Sequence, residues 1–300
     1  MSERYIGVDI GGTSAKLVHL EYPGNVLDHA RVPSTHPSGD HLVAALHGAM
    51  VPWLEAGKGA LGGVGVAVPG LVDRAVGRVL PGSNLPYLDG FGIVAALRSA
   101  TDLPVELDND ANAAGLAEAQ LGAAQGCDSA VCLTVGWGVG GALILGGRLW
   151  RGYHGMAGEV GRMLLDEGGE RTLESKAGAA AIVSAFRALG GAIAEDTDVA
   201  EVARRADNGD QAAREALAEC GRHLGIGLAI AVNFINPQRI VIGGGVANSG
   251  EWYLGAAREE CGRRARGPAW EGTEVVVAAL GRDAGAIGAA LLCRHAEGEG

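Results

Sequence analysis

Two stretches of this chain, YIGVDIGGTSAKLVHL (Tyr5–Leu20) and AVCLTVGWGVGGALIL (Ala130–Leu145), share one design. Ile6–Asp9 reads as a strand, Gly11-Gly12-Thr13 as a bare turn and Lys16–Leu20 as a second strand. Ala130–Thr134 is again a strand and Val135–Gly141 a glycine turn, with Ala142–Leu145 and Arg148–Trp150 as the return strand. Strand, glycine turn, strand is a hairpin, whereas a dinucleotide fingerprint or a P-loop sends the turn into a helix. The hairpins start 125 residues apart (130 − 5), close to half of the 300-residue chain. That spacing predicts two similar α/β halves and not a solenoid, which repeats every ~20–50 residues.

Between and after the hairpins, strands alternate with helices, as in an α/β fold with a partly parallel sheet. Helices are predicted over His41–Leu54, from Asp110 to about Ala124, over Leu173–Leu189, Gln211–Phe234 and Asp283–His295. Gly63–Val68, Val105–Leu107 and Arg239–Ile242 read as strands. No Ser/Pro linker divides the halves, so a hinge near 110–125 is expected in place of a tether. The expected division is a smaller N-terminal domain over 1–115 and a larger C-terminal one over 116–282. The closing helix, about 283–296, is expected to pack back on the first domain.

A formal charge of −11 excludes an extended nucleic-acid surface, which needs clustered Lys and Arg. Arg263, Arg264 and Arg266 read as a solvated helix end. The longest apolar run, Leu224–Ile235, is too short to span a bilayer and reads as a buried helix. Acidic and polar residues precede the first strand, so no signal peptide is expected. Five cysteines without a CxxC or CxC pair give no disulfide framework. A cytoplasmic protein with no membrane partner is the expectation.

Bare glycine turns let backbone N–H groups approach phosphate oxygens. Asp9 repels phosphate and suits a divalent cation or its waters, while Lys16 can neutralise phosphate. Asp108-Asn109-Asp110 stands where a strand feeds a helix. These residues are N-caps or hold a carboxylate that takes a hydroxyl proton during phosphorylation of an alcohol.

VDIGGTSAK, GVAVPGLVD, ELDNDANAAGLAEAQ, LTVGWGVGGALI, HGMAGEVG and IVIGGGV occur in that order. Together they resemble the sugar kinases of the ROK family, within the actin-like ATPase superfamily. The resemblance implies two actin-like, ribonuclease H-like domains with a cleft between them, and ATP with Mg²⁺ as cofactors. It implies that Asp110 is the general base and that Asp9 holds Mg²⁺, through water. Asn109, Asn84, Glu159 and Glu174 are implied to bind sugar hydroxyls, with Gly70 and Ser83 contributing; Asp108 receives no role. Gly11, Gly12, Thr13, Lys16, Thr134, Gly136, Trp137 and Gly138 are implied to hold the nucleotide phosphates. Gly243, Gly244 and Gly245 line its adenosine or form a tight strand-to-helix turn. A homodimer is expected from the resemblance alone.

Three departures from the family pattern stand out. Threonine usually stands where Trp137 does, so the indole either covers the nucleotide or weakens it. Histidine usually stands where Arg162 does, and a CxCGxxGC segment completes a zinc site. Here Arg162 and Glu174 are twelve residues apart with no cysteine between, so no structural zinc is expected. His154 reads as a surface or packing residue. Arg162 points to solvent, pairs with Glu159 or Glu174, or reads an acceptor on an unusual substrate. The repressors of the family carry a DNA-binding segment ahead of the first strand; only eight residues precede Asp9 here, so an enzyme is expected. The reading is an ATP-dependent kinase of a glucose-like or kanosamine-like sugar. The alternatives are a kinase of a seven-carbon cyclitol and a non-catalytic sugar-binding regulator.

Overall fold

The structure is a computed structural model and describes residues 3–57, 59–192, 194 and 197–296, with side chains up to Arg294. The chain divides into two compact units. One takes residues up to Gln125, Leu149–Ala157 and from Arg282 onward; the other takes Gly126–Arg148 and Gly158–Gly281.

The first unit begins with β1 (Arg4–Ile10), β2 (Ser14–Glu21), β3 (Asn25–Pro33), α1 (Gly39–Ala56) and β4 (Leu61–Val68). The short β5 (Val72–Asp73) and β6 (Arg78–Val79) follow, then α2 (Ile93–Thr101), β7 (Val105–Asn109) and α3 (Asp110–Leu121). The next elements are β8 (Ser129–Val135), β9 (Val139–Leu145) and β10 (Arg148–Trp150), within which the division of units falls. The second unit continues with α4 (Leu173–Ala177), α5 (Ala179–Ala188), α6 (Val199–Asp207) and α7 (Gln211–Ile235). It ends with β11 (Arg239–Gly243), α8 (Glu251–Arg264), α9 (Gly267–Glu271) and β12 (Glu274–Val277); α10 (Ala284–Ala296) belongs to the first unit.

The two main sheets run β3-β2-β1-β4-β7 and β10-β9-β8-β11-β12, one topology used twice. In each, a hairpin (β1–β2 or β8–β9) is antiparallel and two later strands add in parallel. This is the pair of similar α/β halves that the recurring hairpins predict. Each unit has its own apolar core, around Ile6, Leu46 and Val66 in the first and Phe186, Leu224 and Ile240 in the second.

Two expected elements are divided. Gly178, extended at ψ 174, breaks the helix expected over Leu173–Leu189 into α4 and α5. The Ala179 N–H released there donates to the Gly136 carbonyl at 2.8 Å. Arg148–Trp150 is a separate strand, because Gly146 (φ 61) and Gly147 (φ 69) form a reversing turn after β9. The run Leu224–Ile235 lies in α7 and is buried on most of its circumference, yet Phe234 is 84% exposed. Arg263 and Arg264 end α8, paired with Glu259 and Glu260, as a solvated helix end. No helix among the described residues is long and apolar enough to cross a membrane.

Helix α10 lies on β1, β4 and α3 at distances only glycine permits. A Cβ on Gly65 would sit 1.6 Å from the Ala289 carbonyl oxygen. One on Gly7 would sit 1.9 Å from the oxygen of Ala286, and one on Gly288 would sit 1.7 Å from that of Ala113. Backbone cannot yield as a flexible side chain does, so each methyl would force the elements apart. Gly65→Ala is therefore expected to lower stability by about 1–3 kcal/mol or more in urea unfolding. Gly12→Ala, where a Cβ meets nothing within 4 Å, serves as control and is expected to stay within about 0.5 kcal/mol. Equal stability of the two variants would contradict this packing.

Candidate active site

The first unit holds Asp9 and the run Asp108-Asn109-Asp110. Strand β7 ends on Asp108 and Asn109, and Asp110 opens α3. The three side chains are used differently. Asp108 is completely buried. Its Oδ2 accepts from Arg151 Nε at 2.6 Å, and Arg74 Nε stands 3.7 Å away. Its Oδ1 accepts from Asn112 Nδ2 at 2.9 Å and from the Asn109 N–H at 2.8 Å. A buried carboxylate costs several kcal/mol unless charge and hydrogen bonds compensate it, which Arg151 and Asn112 do. Asn109 is the N-cap: its Oδ1 accepts from the N–H groups of Ala111 and Asn112 at 2.8 and 3.2 Å. Its Nδ2 donates to the Gly70 carbonyl at 3.0 Å.

Asp110 Oδ1 accepts from the Ala111 N–H at 2.9 Å. Burial, and next the Asp9 carboxylate, push its pKa from 3.8 to about 7. The residue keeps partial exposure, so solvent reaches it and tempers the shift. Asp9 is itself raised by burial, against the opposing pull of Lys16. Lys16 Nζ stands 3.7 Å from Asp9 Oδ2 and donates to the Arg282 carbonyl at 3.0 Å. A Cβ on Gly285 would fall 2.7 Å from the Asp9 carboxyl, so the first turn of α10 backs that group. Among the described residues no group of three His, Cys, Asp or Glu could hold a metal. One or two carboxylates suit Mg²⁺ that arrives on phosphates and keeps its waters, and Asp9 fits that pattern.

In the Gly11-Gly12-Thr13 turn, Gly11 N–H donates to the Ser14 carbonyl at 3.0 Å. Gly12 and Thr13 N–H groups have no partner among the described residues. Gly70 has φ 85, and a Cβ there would sit 3.1 Å from Ser83. Ser83 is buried; its hydroxyl faces the Leu85 carbonyl and Asp89 Oδ1, both at 3.1 Å, so it organises its own loop. Asn84 beside it is exposed, with no hydrogen bond among the described residues.

The second unit repeats the turn. Thr134 in β8 lies opposite Gly140 of β9 and Gly243 of β11. Gly136 N–H donates to the Gly138 carbonyl at 2.9 Å, and the N–H groups of Trp137 and Gly138 are unpartnered among the described residues. The Trp137 side chain is 84% exposed. Glu174 in α4 accepts from the Val139 N–H at 3.0 Å. Glu159 is exposed ahead of a 3-10 turn at Val160–Arg162. Arg162 is exposed, as in the first of the three expected alternatives, and among the described residues it makes no ion pair with Glu159 or Glu174. His154 is exposed, its ring edge against Tyr153.

The three glycines after β11 separate into two kinds. Gly244 has φ 86, and its Cβ would lie 2.3 Å from the Val135 carbonyl oxygen, so the strand-to-helix turn alone requires it. Gly245 has open space within 4 Å and is not required by packing. Arg151 is the partner of Asp108 that sequence reasoning missed. Its only signal was Asp108, a carboxylate to which the resemblance gives no role beside neighbours to which it gives one.

The ROK family model matches residues 5–296. A glucokinase from Halalkalibacterium halodurans is 32% identical, over 99% of this chain and 97% of its own. The crystal structure of a ROK hexokinase from Thermus thermophilus superposes with a TM-score of 0.83 at 34% identity, covering 99% of this chain and 100% of that one. A ROK family glucokinase from Streptomyces griseus, solved with glucose and AMPPNP, gives a TM-score of 0.84 at 30% identity, covering 97% and 99%.

Between its unfolded pKa of 3.8 and about 7, folded Asp110 keeps a proton that the unfolded chain releases. Stability therefore falls as pH rises through that window, and the cost is fully present above it. Asp110→Asn keeps an acceptor for the Ala111 N–H and removes the charge. It is expected to raise the melting temperature by about 2–4 °C near pH 8, with the gain vanishing near pH 4. A loss of stability at pH 8 would contradict the placement of this carboxyl.

Proposed function

The chain belongs to the ROK family and is a carbohydrate kinase, and we propose that it moves the γ-phosphoryl group of MgATP to the primary hydroxyl of a glucose-like or kanosamine-like sugar. The observation that carries this reading is Asp110: a carboxyl whose Oδ1 accepts from the Ala111 N–H, its pKa raised to about 7, at the rigid start of a helix. A general base works best when its pKa lies near the working pH. Phosphoryl transfer passes through a loose transition state in which the hydroxyl proton leaves late. A carboxylate of raised basicity, held in place, takes that proton as the oxygen–phosphorus bond forms.

The rest of the work is electrostatic. Gly12, Thr13, Trp137 and Gly138 offer backbone N–H groups that suit phosphate oxygens, and Lys16 adds positive charge. Asp9 suits Mg²⁺ or its waters; the ion, when bound, offsets charge on the phosphates. Asn84, Asn109, Glu159 and Glu174 read ring hydroxyls. Acceptor carboxylates disfavour a ring that lacks the donor, because the carboxylate then loses that hydrogen bond. Arg162 is a free guanidinium that donates only and selects an acceptor on the substrate. That favours a substrate other than plain glucose and keeps a cyclitol in view.

A panel of glucose, mannose, N-acetylmannosamine, kanosamine and a cyclitol, assayed by ADP release, tests the reading. Sugar-dependent ADP release is expected, and highest kcat/KM on glucose would remove the case for an unusual ring. Sugar binding with no ADP release from any member would favour a regulator. Asp110→Asn is expected to lower kcat by about 10²–10⁴ with sugar binding largely kept; unchanged turnover would reassign the base.

A further inference from the structure

Glu174 touches the glycine turn that follows β8. Its Oε2 accepts from the N–H of Val139, the first residue of β9, at 3.0 Å. A Cβ on Gly138 would lie 2.5 Å from the same oxygen, so the carboxylate rests directly on the turn. The junction of α4 and α5 closes on the other end: Ala179 N–H donates to the Gly136 carbonyl at 2.8 Å. A Cβ on Gly178 would meet the Trp137 carbonyl oxygen at 3.0 Å. With the bond from Gly136 N–H to the Gly138 carbonyl, these contacts leave only the Trp137 and Gly138 N–H groups of the turn unpartnered among the described residues.

We propose that Glu174 is a positioning residue for the donor nucleotide as well as an acceptor of a sugar hydroxyl. This rests on the kinase reading above. One carboxylate oxygen fixes the 136–139 turn so that two adjacent N–H groups face phosphate, and the other is left for the ring. A turn with glycine at 136 and 138 is otherwise free to populate many conformations, and ordering it would weaken binding. A charge-assisted hydrogen bond to the backbone is strong enough to set that order beforehand. The same side chain then registers both substrates, so acceptor specificity and phosphate geometry depend on one group.

The test is binding of magnesium AMPPNP with no sugar present, by calorimetry, to the wild-type chain, Glu174→Ala and Glu174→Gln. A residue that serves only the sugar cannot change this value. Glu174→Ala is expected to weaken nucleotide binding about tenfold. Glu174→Gln, whose amide oxygen can accept the same N–H, is expected to remain within about threefold, while both variants raise the KM for sugar. Gly138→Ala covers the case in which Glu174→Ala does not fold. Its methyl displaces the carboxylate and is expected to weaken nucleotide about as much. Wild-type affinity in Glu174→Ala, or equal losses in the Ala and Gln variants, would overturn the inference and leave the kinase reading intact. A wild-type chain that binds no nucleotide would overturn the kinase reading and the inference with it.

Discussion

Holding a carboxyl at a fixed point while denying it full hydration requires the backbone beneath it to be immobile. The end of β7 meets that demand by giving three adjacent polar residues separate tasks. Asp108 is completely buried and bound by Arg151 and Asn112, which anchors the strand. Asn109 caps α3 and ties it to the Gly70 carbonyl. Asp110 opens α3, its Oδ1 accepting from the Ala111 N–H. Replacing Arg151 would leave Asp108 charged, buried and short of its main partner, a costly state for a strand end to bear.

Glycine is the second element of the account. The chain has 51 glycines, and their uses differ in kind. Gly7, Gly65 and Gly288 allow α10 to approach sheet and helix backbone, and Gly285 gives the Asp9 carboxyl its place. Gly12, Gly136 and Gly245 meet nothing within 4 Å of a would-be Cβ, so packing does not demand them. Bare backbone in open space is what an approaching phosphate needs. Geometry thus separates the glycines that packing demands from those that it does not.

Much of this was legible in the sequence because the governing patterns are local. The hairpins, their repetition and the strand-to-helix step at Asp110 all show as short apolar runs with glycine or acidic punctuation. β3 was not legible: NVLDHARVP is mostly exposed and has no clear alternation, since it pairs at a sheet edge. The break at Gly178 was hidden because glycine within an alanine-rich run is tolerated by helix periodicity, and the carbonyl of Gly136 that exploits the break lies far along the chain. Ser83 makes its side-chain hydrogen bonds to Leu85 and Asp89, a loop arrangement that the short motif around it does not display. Arg151 and the tether of Glu174 to Val139 depend on residues 43 and 35 positions apart, which no local pattern reveals.

The pH dependence of kcat/KM tests the central claim most directly, since that claim is a base whose pKa lies well above the ordinary carboxylate value. The account predicts that activity falls with unit slope on the acid side, with an apparent pKa between about 5 and 7, because protonated Asp110 cannot take the hydroxyl proton. Activity that stays level down to about pH 4.5 would contradict it, since a carboxylate so easily ionised would be an ordinary exposed one.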